Sequence, residues 1–295
     1  MRPLAAQPFD PSLCFVVSMR MDVVDLRNFY AHPLGTVARR FVGRGVRRLW
    51  AGSAGLRMLG VGYATPYLGL FREEAERCLA FMPAAQGVVK WPSARPTLVA
   101  LVDECELPLP DAAIDRILLV HALELSNDVA ALLREVWRVL AAGGRILAVV
   151  PNRRGLWARM DTTPFGQGRP YSRSQLTHLL RETWFTPTAW GDALYVPPID
   201  RRWFLRSALA WERTGATMSA PFAGVHLVEA TKQVYRAIPV RAKKLVPTLK
   251  PVLDPVLAPS PGGAARISSL HAGEAEGALV ARMERSVIRG RPLIL

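Results

Sequence analysis

Between Leu56 and Asn152 the chain alternates short apolar runs with turn and helix signals. That alternation restricts it to an α/β fold around a mostly parallel sheet. The stretch opens on Leu59-Gly60-Val61-Gly62-Tyr63-Ala64-Thr65-Pro66. An apolar strand meets two close glycines there, and Thr65-Pro66 offers an N-cap hydroxyl followed by proline in the first helical position. The expected order is strand, tight turn, helix. Such a turn brings bare backbone and unpaired helix N–H groups together, a place where one end of a nucleoside-like ligand can lie.

The segments that follow keep the pattern. Thr97 to Val102 reads as a strand ending in Asp103-Glu104, and Leu107-Pro108-Leu109-Pro110-Asp111 reads as a loop that its prolines keep from becoming helix. Ile114 to His121 is a second buried strand. Ser126 is expected to cap a helix with apolar positions at Val129, Leu132, Leu133, Val136 and Leu140, and Gly143-Gly144 to end it. Arg145 to Val150 is a further strand, closed by Pro151-Asn152.

In the order of these pieces the sequence resembles the class I S-adenosylmethionine-dependent methyltransferases, of the type 11-like kind, over roughly Leu56 to Arg236. The resemblance rests on Gly60-Val61-Gly62, on Asp103 with Leu107-Pro108, and on Ile114-Asp115. His121-Ala122-Leu123-Glu124 and Ala142-Gly143-Gly144-Arg145 complete it. It implies a doubly wound, Rossmann-like, seven-stranded and mostly parallel sheet with an antiparallel edge strand, and S-adenosylmethionine as cofactor. It also implies Gly60, Gly62 and Ala64 at the methionine end, Asp103 at the adenine amino group with Glu104 beside it, and His121 lining the pocket. His121 is the one candidate general base, for an acceptor that must lose a proton.

The departures concern the same site. Met58 stands where the family usually carries an acid two residues before the first glycine, and Ala64 stands where a third glycine is usual. The stretch from Cys78 to Gln86 lacks the acid that holds the ribose hydroxyls, leaving Gln86 as the nearest polar replacement. A hydrogen bond to a charged group contributes about 1.5–3 kcal/mol, so that loss weakens cofactor binding unless something compensates.

Composition narrows the remaining questions. A chain of 295 residues that is 50% hydrophobic can bury a substantial core. Its three cysteines, Cys14, Cys78 and Cys105, are far apart and suit neither a zinc site nor a disulfide framework, so no metal is expected and a cytoplasmic setting is. No apolar run is long enough to span a bilayer. The formal charge is +14, and no acid lies between Asp25 and Glu73, an interval holding Arg27, Arg39, Arg40, Arg44, Arg47, Arg48 and Arg57. Without a recognisable RNA-binding module or interleaved aromatics, this patch reads as a solvated basic face rather than a nucleic-acid site.

Three regions are expected: an N-terminal extension at 1–20, a methyltransferase-like domain at 21–240, and a Pro/Gly-rich, disordered tail at 241–295. The acceptor-choosing segment lies between Arg153-Arg154 and Tyr171, with Arg169 and Tyr171 as candidate contacts to an anionic or planar substrate. Ser172 or Ser174 is expected to cap the next helix. The leading function is methyl transfer from S-adenosylmethionine to a small molecule. The alternative, motivated by Met58 and the missing ribose acid, is a catalytically silent module that binds a protein partner. A third reading, RNA or protein methylation, lacks the acceptor motif usual after the fourth strand.

Overall fold

The computed structural model describes residues 21–94, 96–218 and 222–234. The expectations for residues 1–20 and 241–295 lie outside the described residues. Two helices come first, α1 (Val23–Ala31) and α2 (Pro33–Leu49). The Asp22 side chain accepts a hydrogen bond from Val24 N–H at the start of α1, and Pro33 sits in the first turn of α2.

The sheet is built from β1 (Arg57–Gly62), β2 (Arg77–Pro83), β3 (Val99–Val102), β4 (Ile114–Val120), β5 (Leu140–Pro151), β6 (Phe185–Ala193) and β7 (Val225–Lys232). Its spatial order is β3-β2-β1-β4-β5-β7-β6. Neighbours from β3 to β5 pair in parallel, whereas β7 runs antiparallel between β5 and β6. The order reverses between β1 and β4, and this is the switch point beyond which open α/β sheets bind ligands.

Both faces are covered, as the continuous apolar runs of the central strands require. Met58, Leu118, Leu147 and Leu227 face a core shared with α1, α2, α3 (Thr65–Leu68), α6 (Arg202–Arg206) and α7 (Ala208–Met218). Their neighbours Leu59, Ile117, Leu119, Ile146 and Val228 face the other core, against α4 (Val129–Val139) and α5 (Arg173–Glu182). Strand alternation thus assigns each residue its layer.

Three local expectations need correction. The short helix α3 starts at Thr65 itself, with Ala64 in the N-cap position. Asp128, not Ser126, caps α4 by accepting from Ala131 N–H at 2.8 Å, while the Ser126 hydroxyl donates to Glu104 at 2.8 Å. Gly143-Gly144 does not end α4. That helix stops at Val139 because Leu140 already pairs with Ile114, and a register shift before Arg116 pairs with Arg145 carries both glycines inside β5. Gly143 takes φ +72° to make the excursion. Ser172 does cap α5, in a reciprocal capping box with Gln175.

Candidate functional site

The carboxyl ends of β1, β2 and β4 meet where the order reverses. Gly62 ends β1 with φ +79°, and a Cβ there would lie 2.3 Å from the Val120 carbonyl oxygen, so only glycine lets β1 turn this close to β4. Gly60 plays a similar part toward α3, since its Cβ would approach that of Ala64 to 2.7 Å. Gly60, Gly62 and Ala64 are therefore packed turn residues. Met58, in place of the usual acid, is buried in the apolar core.

One residue beyond β4, His121 is held at φ +51°, a left-handed conformation that costs a side-chain-bearing residue free energy. This turns its imidazole into the interior, with the side chain 0% exposed. Nδ1 lies 3.1 Å from Glu124 Oε1, and Nε2 lies 2.9 Å from the Tyr30 hydroxyl. Tyr67 in turn donates to the Tyr30 oxygen at 3.1 Å. Gln86 donates from Nε2 to the His121 carbonyl at 2.7 Å, completing a buried polar chain across α1, α3 and the strand ends. Burial, with repulsion from Tyr67 and Glu124, pushes the Tyr30 hydroxyl well above the ordinary tyrosine range, so it stays protonated as a donor.

Two atoms in this chain are left over. Gln86 Oε1 and Glu124 Oε2 are buried and make no hydrogen bond among the described residues. Each such group costs about 1–3 kcal/mol unless a donor reaches it. Gln86, Glu104 and His121 line a shared void with Pro83, Ala85 and Leu125, but it measures only about 10 Å³. That space holds a water at most, whereas sites for small ligands run to roughly 300–1,000 Å³.

The space is taken by α1. Its buried face, Val23, Leu26 and Tyr30, repeats at helical spacing and lies across the strand ends. Val23 N–H donates to the Gln86 carbonyl at 2.8 Å, and the Tyr30 ring stacks on Tyr63 at 5.7 Å between centroids. Phe165 packs edge-on to Trp157 and 5.0 Å from the His121 ring. The donor chemistry of the site suits a nucleoside cofactor, with two buried acceptors awaiting donors; its volume suits one only with α1 displaced.

The other expected residues fall nearby but outside the void. Asp103 is exposed, and its carboxylate accepts from Cys105 N–H at 2.8 Å, capping its own loop. Arg169 is exposed and tied through its backbone N–H to the Glu124 carbonyl at 2.8 Å. Tyr171 is half-buried, donating to the Leu123 carbonyl at 3.3 Å. Asp111 and Asp115 serve the opposite end of the sheet, paired with Arg138 and Arg57. Tyr30, Tyr63, Tyr67 and Phe165 were not foreseen at the site. Only the spacing of Val23, Leu26 and Tyr30 hinted that α1 buries an aromatic.

Comparison with known proteins agrees with this architecture. Residues 47–148 match the family model described as "Methyltransferase domain". A "Probable S-adenosylmethionine-dependent methyltransferase" of Mycolicibacterium smegmatis is 38% identical over 82 residues, covering 27% of this chain and 32% of that protein. A second so named, from Mycobacterium tuberculosis, is 36% identical over 94 residues, covering 31% and 34%. The chain thus spans about a third of the length of these curated relatives. Among solved structures, a chain in the complex between the Haloferax volcanii Trm112 methyltransferase activator and "the putative methyltransferase" superposes with TM-score 0.50. It is 14% identical and covers 72% of this chain and 98% of its own, a likeness of fold. The sheet order and switch point thus accompany a match of residues 47–148 to a methyltransferase domain model.

Proposed function

We propose that this chain transfers a methyl group from S-adenosylmethionine to a small acceptor, at a site on the carboxyl ends of β1, β2 and β4 that α1 closes. The observation that supports this most is the pair of buried acceptors, Gln86 Oε1 and Glu124 Oε2, left without donors beside the glycine turn. The cofactor supplies a methyl group on a sulfonium, an already activated donor. The protein's task is then to orient the partners and keep water out, and orientation alone can contribute roughly 7–11 kcal/mol.

In this reading Gly60, Gly62 and Ala64 keep the β1 turn low enough for the methionine end to approach, and Gln86 stands in for the missing ribose acid. Asp103 is assigned to adenine, which requires its carboxylate to exchange the Cys105 N–H for the ring amino group. His121 lines the pocket and is oriented by Glu124. When α1 leaves, Nε2 loses Tyr30 and is free to accept a proton from a hydroxyl or amine acceptor. Arg169 and Tyr171, tied to the 123–124 loop, stand where they can contact that acceptor.

Calorimetry of the full chain with S-adenosylmethionine and S-adenosylhomocysteine tests the proposal. Saturable binding is expected, with the product at least as tight as the substrate cofactor. A folded chain that binds neither overturns it and leaves the partner-binding module as the reading to pursue.

A further inference from the structure

A second region has chemistry that the methyl-transfer site does not use. Where α2, the end of β6 and α7 meet, a pocket of about 290 Å³ is lined by Arg44 and Arg48 of α2 and Arg213 of α7, with Tyr195, Asp192 and Glu212. The two acids are already engaged. Asp192 pairs with His226 and Arg173, and Glu212 accepts from the backbone N–H groups of Leu194 and Tyr195 at 3.0 and 2.8 Å. Burial pushes the Glu212 carboxyl above its ordinary range, against the lowering effect of the backbone N–H groups and of Arg44. The three arginines form no ion pair among the described residues, although Arg44 lies over the Phe41 ring.

The helices α6 and α7 also carry exposed apolar residues. Trp203 is 70% exposed on α6, its ring packs edge-on against Phe204, and Phe204 stacks on Trp211, itself 45% exposed on α7. Ile199, just before α6, is 42% exposed. Arg201 just before α6, Arg206 on α6 and Arg213 on α7 are exposed, as are Arg39, Arg40, Arg44 and Arg48 on α2. Large indoles left in solvent among arginines match the composition of a membrane interface, where the ring sits at headgroup level and guanidinium groups meet phosphate. Nucleic acid is less well served, because Phe204 already covers one face of Trp211 and the exposed aliphatic Ile199 offers no base stacking.

We propose that the α2–α6–α7 face docks on an anionic phospholipid bilayer, with the Arg44–Arg48–Arg213 pocket seating a lipid phosphate and Trp203 and Trp211 entering the headgroup layer. Attachment is peripheral, since among the described residues no helix is long and apolar enough to cross a membrane. The surface lies toward the carboxyl end of β6, where Ala193 pairs with Val225 and Val225 with Pro151 at the end of β5. A docked domain therefore keeps the carboxyl edge of its sheet near the lipid.

The test is co-sedimentation of the full chain with vesicles of phosphatidylglycerol and phosphatidylcholine in equal parts, against phosphatidylcholine alone, with tryptophan emission recorded. Binding only to the anionic vesicles is expected, with a blue-shifted emission and release by salt. Arg44→Gln with Arg48→Gln should weaken partitioning by about thirtyfold, at roughly 1 kcal/mol per arginine near the surface. Trp203→Ser with Trp211→Ser should remove the blue shift while S-adenosylmethionine binding and the thermal midpoint stay in place. Absence of vesicle binding, or binding that both variants retain in full, overturns the proposal. So does a single-stranded RNA oligonucleotide that binds the parent and loses affinity in the same variants while vesicle binding does not change.

Discussion

The two ends of the parallel sheet are built on opposite terms. At the amino ends of the strands Arg57, Arg138 and Glu229 each have charged partners. Arg57 clamps Asp115 through its backbone N–H, Nε and Nη2 at 2.9, 3.0 and 2.9 Å. Arg138 reaches the Leu107 and Leu109 carbonyls, Asp111 and Glu135 within 2.7–2.9 Å. Glu229 accepts from Trp50 and Arg145, both at 3.1 Å. At the carboxyl ends the backbone is strained at His121, and two buried oxygens have no donor. One end is satisfied and holds the fold; the other retains unmet hydrogen bonds, the condition in which a ligand gains most by binding.

Glycines test this contrast most strongly. Gly62→Val should cost about 3 kcal/mol or more, because φ +79° and a Cβ 2.3 Å from a carbonyl oxygen admit no side chain. Gly143→Ala, at φ +72° but with nothing within 4 Å, should cost only about 1 kcal/mol of backbone strain. Denaturant titration of both variants measures the difference. Equal losses would mean that conformation, not the close approach of β1 to β4, is what Gly62 supplies.

Next in size is Glu124→Gln. It keeps the shape of a buried side chain but replaces a charged acceptor with a neutral amide, so S-adenosylmethionine affinity should fall about ten- to a hundredfold while the thermal midpoint moves little. A folded variant with unchanged affinity would remove Glu124 Oε2 from the cofactor site. Tyr30→Phe should act in the opposite sense. Losing the hydroxyl that links His121 and Tyr67 loosens α1, lowering stability by about 1 kcal/mol and tightening cofactor binding by up to about fivefold. A midpoint and an affinity that fall together would show that α1 belongs to the bound state rather than blocking it.

Much of the sheet could be read before any coordinates, because the signals that define it are local. The glycine turn at Gly60-Val61-Gly62, the Leu107-Pro108 loop and the strand starting at Ile114 each depend on neighbouring residues, whereas the order of the strands in the sheet depends on long-range pairing. Gly143-Gly144 misled because a glycine pair after a periodic run looks like a helix stop, whereas the pairing of Leu140 with Ile114, distant in sequence, ends α4 earlier. The closed pocket was illegible for the same reason. Tyr30 and His121 are 91 positions apart, and nothing in either neighbourhood signals that they meet.

The smallest effect belongs to the satisfied end and distinguishes a fold-holding charge from a functional one. The Arg57 guanidinium and backbone N–H hold the Asp115 carboxyl below its ordinary range, against a smaller opposing effect of burial. A depressed folded value means that the unfolded chain binds the proton more readily. The pair therefore contributes fully above the unfolded carboxylate value of about 3.9 and loses that contribution as pH falls through the folded value. Asp115→Asn removes the titration, so the variant should melt below the parent at neutral pH and converge with it in acid, by less than any change above because solvent screens a surface pair. Cofactor affinity should not change at any pH, since Asp115 lies at the far end of its strand from His121. An affinity change tracking the acid limb would show that the two ends are coupled through β4, and the division between them would fail.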